Sequence, residues 1–284
     1  MTSAKKEKKA TRKQLITEHL KLHYDECGDH YGAKNIWVTM LYGSQNYHLD
    51  TPASDFDTKT MLLPSIREVV LGKKMVSTDL QISDGGLSNV KDYRAMFQNY
   101  LKGNINFLET LFTNWVEINP NYCDLFKDLR RERNLIANCR PRKLVHMAAG
   151  MANQKYVAFD KPFESKKKVL EEYGYDPKQL LHLHQLYIFI KNYNLNSDFG
   201  NCLVLSSEVH RVLMDYELMP YDYSKAIEIR EDLMKEINKQ VEFADKALPE
   251  DNCYEEAVEF LDDLATRVFK RRFKEEVPSK FIIL

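Results

Sequence analysis

The sequence lacks the patterns that would place this chain in a membrane or in an oxidising compartment. No apolar run approaches the roughly 18 residues that a membrane span needs, and the first residues include no apolar segment typical of a signal peptide. The cysteines form no Cys-x-x-Cys pair and have no histidine at zinc-ligand spacing, so they predict neither a zinc site nor a disulfide framework. They are Cys27, Cys123, Cys139, Cys202 and Cys253. We therefore expect a cytoplasmic protein with reduced thiols and no membrane contact.

The chain also lacks an excess of charge of either sign. It has 41 Lys and Arg residues against 42 Asp and Glu residues, a net charge of −1, so a nucleic acid would have to be attracted by a local basic patch. Three segments are basic enough to contribute to one: the tail at 1–10, which we expect to be flexible, Lys166–Lys168 and Lys270–Arg272. A solvated surface is the alternative role for all three.

The most informative stretch is a Gly-Ser pair followed by two closely spaced aspartates. The apolar run at 36–41, which ends before Gly43, predicts a buried strand, and 56–63 predicts a second. Side chains of a strand alternate between its two faces, so Asp55 and Asp57 are expected to point the same way. The sequence therefore predicts two carboxylates side by side at the start of the second strand.

Such a carboxylate pair needs a cation, because two like charges at one site repel each other. Mg²⁺ meets this need, since it prefers oxygen ligands and binds through one or two carboxylates together with phosphates. Gly43 and Ser44 offer a tight turn with free N–H groups and a hydroxyl for those phosphates. Together, the two segments predict a site for a metal-bound triphosphate.

These residues resemble the signature of a known superfamily. A Gly-Ser pair, a spacer and an Asp-x-Asp strand resemble the nucleotidyltransferases related to DNA polymerase beta. The longer stretch from Tyr42 to Lys59, YGSQNYHLDTPASDFDTK, is similar to predicted nucleotidyltransferases found beside RNA ligases in phages and bacteria, where a G-S-x-N-Y-G-L-x-T-x-x-S-D-x-D-x-K pattern recurs. Further matches at 91–94, 101–113 and 174–178 extend the resemblance over roughly residues 36 to 265.

The resemblance implies a magnesium-dependent nucleotidyltransferase with a two-metal site. Such an enzyme moves a nucleoside monophosphate from a nucleoside triphosphate (NTP), here expected to be ATP, to an acceptor hydroxyl and releases pyrophosphate. Asp55 and Asp57 would hold the metal ions, and Gly43 and Ser44 would bind the β- and γ-phosphates. The association with RNA ligases implies that the acceptor is an RNA end, such as that of a tRNA, in RNA repair, with an RNA ligase as a partner in the same pathway.

A third carboxylate normally completes this type of site and helps to deprotonate the acceptor hydroxyl. The family pattern puts that position at Asn89, whose amide can coordinate a metal but cannot act as a base. Asp79, Asp84 and Asp92 are the nearby substitutes, and Asp92 is the candidate that we take as catalytic. Asp92 also fits the N-cap of a helix, so both roles stay open for it.

Two lysines beyond the first half are candidates for contact with the triphosphate. Lys178 lies in the Gly-Tyr-Asp-Pro-Lys match, and Lys155 lies on an earlier predicted helix. Either could compensate negative charge during phosphoryl transfer, and a solvated surface lysine is the alternative for both. Gln185 stands where the family pattern has an arginine. Glu109, in another matching block, is expected to have a structural role and to bridge a neighbouring basic residue.

The chain as a whole is expected to be α+β, with enough hydrophobic residues (44%) for a sizeable core. We expect a small mixed-sheet catalytic domain of the polymerase-beta type at 11–115 and an all-helical domain at 116–284. A helix at 11–27, a short helix at 65–71 with Ser65 as N-cap, and strands at 75–82 and 87–90 complete the first domain. Helices in the second are predicted at 121–133, 142–159, 164–173, 177–193, 206–217, 224–247 and 254–273.

Two alternatives to transfer onto RNA stay open. The first is the same chemistry on another acceptor, either a protein hydroxyl, as in a regulatory adenylyltransferase, or a small molecule. The second is a catalytically weakened module that binds nucleotide or RNA, which the amide at Asn89 keeps in play.

Overall fold

A five-stranded mixed sheet forms the centre of the first part of the chain. The computed structural model describes residues 11–51, 54–161 and 166–277, so the predicted tail at 1–10 lies outside it. The strands are β1 (Ile36–Tyr42), β2 (Asp57–Leu62), β3 (Ser77–Gln81), β4 (Leu87–Asp92) and β5 (Val116–Ile118). Their order is β3-β4-β2-β1-β5; β2 and β4 are parallel, and the other neighbours are antiparallel. The predicted α+β class with a mixed sheet is confirmed at this level.

Helices occupy most of the remaining chain. They are α1 (Arg12–Tyr31), α2 (Ile66–Val70), α3 (Tyr93–Leu101), α4 (Ile105–Leu108), α5 (Cys123–Arg131), α6 (Arg133–Asn138), α7 (Pro141–Ala158), α8 (Lys167–Tyr173), α9 (Pro177–Asn196), α10 (Phe199–Cys202), α11 (Ser207–Leu218), α12 (Tyr223–Ala247) and α13 (Tyr254–Glu276). The predicted helices all appear with small shifts of their ends, except that the one at 121–133 ends at Arg131 and is followed by α6. Residues 164 and 165 of the helix predicted at 164–173 lie outside the described residues.

Local sequence signals explain several helix boundaries. Thr11 and Ser65 each form a capping box with the residue three positions later, which satisfies free N–H groups at the first turns of α1 and α2. Gly174 ends α8 in the left-handed conformation (φ +77°), which glycine adopts without strain. Asp176 then caps α9, whose first residue is Pro177.

The two faces of the sheet differ in chemistry. The face toward α1 carries a buried polar row in which the hydroxyls of Thr39, Thr58, Thr60 and Ser88 form hydrogen bonds of 2.8–3.0 Å. The opposite face carries Asp57 and Lys59 on β2, followed by the buried Met61. Since Met61 belongs to the main hydrophobic core, this second face is the one that meets the helical part of the chain.

One hydrophobic core joins the sheet and the later helices. It extends from Met40 on β1 through Phe97 on α3 to Leu183 on α9 and Leu264 on α13. α13 returns to the first part of the chain, where Arg272 donates to the backbone carbonyl of Lys34. The short strand β5 was not predicted and lies just past residue 115. No helix in the described ranges combines the length and the hydropathy needed to cross a membrane.

Candidate functional site

A cavity of about 290 Å³ lies where the end of the sheet meets α7 and α9. Five of the seven site residues predicted from the sequence line it. They are Gly43, Ser44, Asp57, Lys155 and Lys178. These residues come from segments up to 135 positions apart (178 − 43), so the fold brings together groups that the sequence could only nominate one by one.

The Gly43–Ser44 loop has the shape that its sequence predicts. Gly43 follows β1 with φ +81° and ψ −155°, a conformation that strains any residue with a side chain. No heavy atom lies within 4 Å of the position that a Cβ would take, so the space beside this glycine is open. A 3₁₀ turn at Ser44–Tyr47 follows. Since the first N–H groups of a helical turn have no partner within it, those of Ser44 and Gln45 are the ones this loop can offer to an anion.

The buried carboxylate of Glu109 stabilises this loop from the protein interior. Its Oε1 accepts a hydrogen bond of 3.2 Å from the backbone N–H of Gly43, and its Oε2 accepts one from the hydroxyl of Tyr47. Burial raises the pKa of Glu109, and both hydrogen bonds and the nearby Lys59 oppose that shift by favouring the charged form. Glu109 thus has the structural role expected of it, but its partners are the loop itself. The N–H of Gly43 is taken by this contact.

Asp57 is the first residue of β2, and Asp55 lies two residues before it. Asp57 is half-buried, Asp55 is exposed, and burial raises the pKa of Asp57, with Asp55 adding to the shift. The backbone N–H of Leu87, on the parallel strand β4, donates to Asp57 Oδ1 at 3.3 Å, and this hydrogen bond opposes the rise in the pKa of Asp57. Among the described residues, Asp57 makes no other side-chain hydrogen bond and Asp55 makes none. Lys178 and His23 also oppose this rise in the pKa of Asp57, so the carboxylate interacts with the positive charge of the site as well as with Asp55.

Two lysines supply positive charge on the other side of the cavity. Lys155 comes from α7 and Lys178 from the first turn of α9, and neither forms a salt bridge with another described residue. Burial lowers the pKa of Lys155, and Lys178 and Lys166 lower it further, while Asp176 opposes the shift. Asp176 itself is engaged with Lys166 at 3.4 Å and with the backbone N–H of Lys178 at 3.0 Å. Among the described residues, these two lysines thus form no salt bridge, and the carboxylates that act on them at longer range are Asp176 for Lys155 and Asp57 for Lys178.

His182 adds no positive charge at neutral pH. It lies one turn after Lys178 and lines the cavity. Burial and the nearby Lys155 lower its pKa to about 4. The neutral imidazole therefore serves as a hydrogen-bonding group in this part of the site.

Lys59 is a buried cation that the sequence did not single out. Its Nζ lies 3.5 Å from the ring centroid of Tyr42 and 4.4 Å from that of Phe107, and burial lowers its pKa to about 8. Glu109 opposes the shift, so Lys59 and Glu109 form an electrostatic pair beneath the Gly43 loop. The signal was present, because Lys59 is the last residue of the matching pattern.

The structure does not bring Asp92 to the cavity. β2 and β4 run parallel with Asp57 opposite Leu87 and Leu62 opposite Asp92, so Asp92 lies at the far end of the sheet. Its side chain accepts from the backbone N–H of Arg94 at 2.9 Å and pairs with the Arg94 guanidinium. Of the two roles left open for Asp92, the helix N-cap is the one observed, and its carboxylate lies away from the cavity that holds Asp57.

The other two aspartates lie on different sides of the sheet. Asp84 bonds to His19 and His23 of α1, on the face away from the cavity. Asp79 lies on β3 opposite Asn89, which lies opposite Lys59, so all three share the face of Asp57. The amide of Asn89 donates to Asp79 Oδ1 at 2.6 Å. A carboxylate therefore lies on this face one strand further out than Asn89, at Asp79.

The chemistry of the donor set fits a divalent cation at Asp55 and Asp57. Adjacent carboxylates without full compensation suit Mg²⁺, which takes its remaining ligands from phosphate and water. In the described ranges, no group of three or more His, Cys, Asp and Glu side chains is arranged to hold a metal ion. A cation here would therefore depend on the two aspartates and on the substrate.

A second cavity, of about 560 Å³, adjoins the first and shares Tyr47, Glu109 and Leu203 with it. Its lining combines an indole, a guanidinium and several amides. These groups belong to Trp115, Arg133, Asn46, Asn114, Asn134 and Asn201. The guanidinium of Arg133 lies 5.2 Å from the ring centroid of Phe112. Nothing in the sequence marked these residues as neighbours.

Half of the six described residues in the basic segments considered from the sequence are paired within the protein. Arg271 pairs with Asp124, and the buried Arg272 pairs with Glu276. Lys166 pairs with Asp176. Of these segments, only Lys167, Lys168 and Lys270 remain exposed within the described ranges.

No protein-family profile matches the chain, and no curated protein matches it significantly.

Proposed function

We propose that this protein is a magnesium-dependent nucleotidyltransferase that transfers a nucleoside monophosphate from an NTP, expected to be ATP, to a hydroxyl of an RNA acceptor. The observation that carries the proposal is the first cavity, in which a Gly-Ser turn and a strand aspartate face two lysines that form no salt bridge with a described residue. A triphosphate has the charge and the oxygen atoms that such a set of groups can bind. The resemblance of residues 42–59 to the polymerase-beta-related family points to the same chemistry.

The predicted site residues that line the cavity, together with the exposed Asp55, which does not line it, have roles that follow from their chemistry. Ser44 donates its hydroxyl to a phosphate oxygen, and Lys155 and Lys178 neutralise the charge that grows on pyrophosphate as it leaves. Asp55 and Asp57 would hold Mg²⁺, which when bound activates the attacking hydroxyl and stabilises the leaving group. The apolar part of the lining gives a nucleobase a surface to pack on. It consists of Ile105, Met151, Leu186, Phe189, Leu203 and Leu205.

The second cavity is the place that we assign to the acceptor. It opens beside the triphosphate cavity and offers an aromatic ring in Trp115, a cation in Arg133 and several amides. Single-stranded RNA is bound by this combination, because bases stack on aromatic rings, amides read base edges, and cations contact phosphates. Such a local site is compatible with a chain whose net charge is only −1.

The test is a labelling reaction with purified protein, Mg²⁺, total RNA and each of the four NTPs labelled at the α-phosphate. We expect label in RNA with release of pyrophosphate, and loss of label when Asp57→Asn replaces the wild type. Trp115→Ala and Arg133→Glu should reduce RNA labelling while NTP binding persists. Arg131→Glu is the matched control, because Arg131 is a largely exposed arginine two residues away on α5.

The distribution of label separates this proposal from its alternatives. Label only in protein would favour a protein-modifying enzyme, and NTP binding without transfer to any acceptor would favour a weakened binding module. Salt dependence gives an independent check on RNA. Each phosphate contact should contribute about −0.7 to the slope of log affinity against log salt for a single strand.

A further inference from the structure

On the side away from the cavity, the segment Asp55–Asp57 packs against residues that do not line the cavity. The ring of Phe56, between the two aspartates, stacks on the imidazole of His19 from α1, with 4.1 Å between centroids and 10° between planes. The main chain at Phe56 also contacts the β3–β4 turn. A Cβ at Gly86 would lie 1.9 Å from the carbonyl oxygen of Phe56, so only glycine fits there.

Two carboxylates link α1 to that turn. Glu26 of the helix accepts hydrogen bonds from the backbone N–H of Ser83, at 3.1 Å, and from its hydroxyl, and Asp84 of the turn contacts two histidines of the helix. Asp84 Oδ2 lies 2.6 Å from His19 Nδ1 and 3.1 Å from His23 Nε2, and its Oδ1 accepts from the backbone N–H of Gly86 at 2.9 Å. The other ring nitrogen of His23 lies 2.9 Å from the hydroxyl of Thr58. The Asp84 side chain is only 9% exposed and that of His23 is fully buried. Both oxygens of Asp84 are therefore used to fix the turn against the helix.

The β3–β4 turn also positions Asp57. The residue after Gly86 is Leu87, whose backbone N–H donates to Asp57 Oδ1 at 3.3 Å. His19 thus reaches Asp57 by two routes: directly through the Phe56 stack, and through Asp84, Gly86 and the Leu87 N–H. Apolar side chains would be sufficient to pack a helix on a hairpin turn. A buried polar cluster that ends on a ligand carboxylate is the arrangement by which proteins orient metal ligands.

We propose that His19 and Asp84 are positioning residues that hold the Asp57 carboxylate in the orientation needed to bind a divalent cation with the triphosphate. The proposal rests on the nucleotidyltransferase function proposed above. Neither residue touches substrate. Their contribution is to keep the aspartate segment ordered before the cation binds, so that less ordering is needed at binding.

Asp84→Asn and His19→Phe test the two routes separately. An amide has one acceptor oxygen where the carboxylate uses two, so Asp84→Asn keeps the Gly86 N–H bond only by turning its NH2 group toward the histidines, where it can no longer accept from a ring N–H. His19→Phe keeps a ring against Phe56 but loses the bond to Asp84. The controls are Asp25→Asn and His30→Phe on the exposed side of α1. Asp25 forms only an exposed ion pair with Lys21, a type that contributes little.

Two measurements are made on each folded variant. Hydrogen exchange followed by mass spectrometry reports the order of 54–58 and 86–88 without any ligand. Mn²⁺ binding, followed by the loss of the free-ion resonance in the presence of a non-hydrolysable NTP analogue, reports the ligand site. We expect faster exchange in both segments and Mn²⁺ binding weakened by about ten- to a hundredfold in Asp84→Asn and His19→Phe, with both controls unchanged.

The outcomes distinguish the two proposals. Wild-type Mn²⁺ affinity in both variants would overturn the positioning role even if exchange is faster, because the order of the segment would then not matter for binding. Unchanged exchange with weakened Mn²⁺ binding would overturn it as well. Absence of Mn²⁺ binding by the wild-type protein would instead overturn the proposed function, and the positioning role with it.

Discussion

The carboxylate of Glu109 accepts a hydrogen bond from the backbone N–H of Gly43, with 3.2 Å between the two atoms. Because Glu109 is only 3% exposed, it stabilises the turn from the protein interior and leaves the opposite side of the loop open to the cavity. Tyr47 donates to the other oxygen of the same carboxylate, so one side chain fixes both ends of the Gly43–Tyr47 loop.

Replacing Glu109 should destabilise the fold and loosen this loop. In Glu109→Ala, two buried donors lose their acceptor, which we expect to lower the free energy of unfolding by about 3 kcal/mol. Glu109→Gln should have a smaller effect, since its single oxygen still serves one donor. Urea denaturation gives both values. The exposed Glu256→Ala on α13 is the control, and an equally small effect for Ala and Gln would contradict the anchoring role.

Asp55→Asn and Asp57→Asn should each abolish nucleotide transfer while preserving the fold. An amide is close in size to a carboxylate but lacks the negative charge that a divalent cation needs. Because burial and Asp55 raise the pKa of Asp57, its ionised form is disfavoured in the metal-free protein. Asp57→Asn should therefore leave the melting temperature unchanged or raise it. Transfer at the wild-type rate by both variants would rule out this metal site.

We expect substitution of Asp79 to slow nucleotide transfer by more than its effect on stability would explain. It shares the sheet face of Asp57 and is held by Asn89 at 2.6 Å. If it accepts the proton of the acceptor hydroxyl, Asp79→Ala should reduce transfer by about a hundredfold or more. Its exposed position on an edge strand predicts little change in melting temperature. A rate within a few-fold of wild type would instead leave water as the base.

Asp92→Ala should show the opposite behaviour. Asp92 caps α3 and pairs with Arg94 at 2.7 Å, while its own side chain is almost fully buried. Loss of a helix cap lowers stability by about 1 kcal/mol, and the unpaired guanidinium adds to that. The measurement is thermal unfolding alongside the transfer rate below the melting transition. A specific loss of rate at unchanged stability would restore Asp92 as a catalytic residue.

The sequence predicted the fold where local patterns decide it. Strand β1 is a continuous apolar run, and the helix starts at Ser65 and Pro177 have recognisable caps, so these elements were found close to their observed bounds. β5 was missed because it is only three residues long. Its pairing with β1 is a long-range contact that no local pattern encodes.

The candidate site was predictable only in part. Gly43, Ser44 and Asp57 belong to one contiguous motif, which is why they could be named from the sequence. The position of Asp92 depends on strands β2 and β4 running parallel, which reverses the end at which it lies. The link from His19 to Asp84 joins residues 65 positions apart through a helix and a turn. Such a contact depends on packing, and no spacing rule reveals it.

Lys155→Met should stabilise the ligand-free protein and weaken its binding of triphosphate. Burial and two neighbouring lysines lower the pKa of Lys155, so its charged form is disfavoured until an anion binds. Met has a similar length without the charge, and removing such a functional strain typically stabilises a protein by about 1 kcal/mol. Lys167→Met is the matched control, because Lys167 is exposed on α8.

The same shift predicts how pH acts on the wild-type protein. Between the lowered pKa of Lys155 and its ordinary value of 10.5, the unfolded chain binds more protons than the folded one, so the contribution of Lys155 makes stability rise with pH. Triphosphate binding requires the charged lysine, so affinity should fall as pH rises through the same window. Lys155→Met should lose the contribution of Lys155 to both dependences, so its stability should rise less steeply with pH; the rise that remains comes from groups such as Lys59, whose pKa is lowered to about 8. Thermal unfolding and triphosphate titrations between neutral pH and pH 10.5 measure them, and a variant that keeps the wild-type fall in affinity would show that another group binds the phosphates.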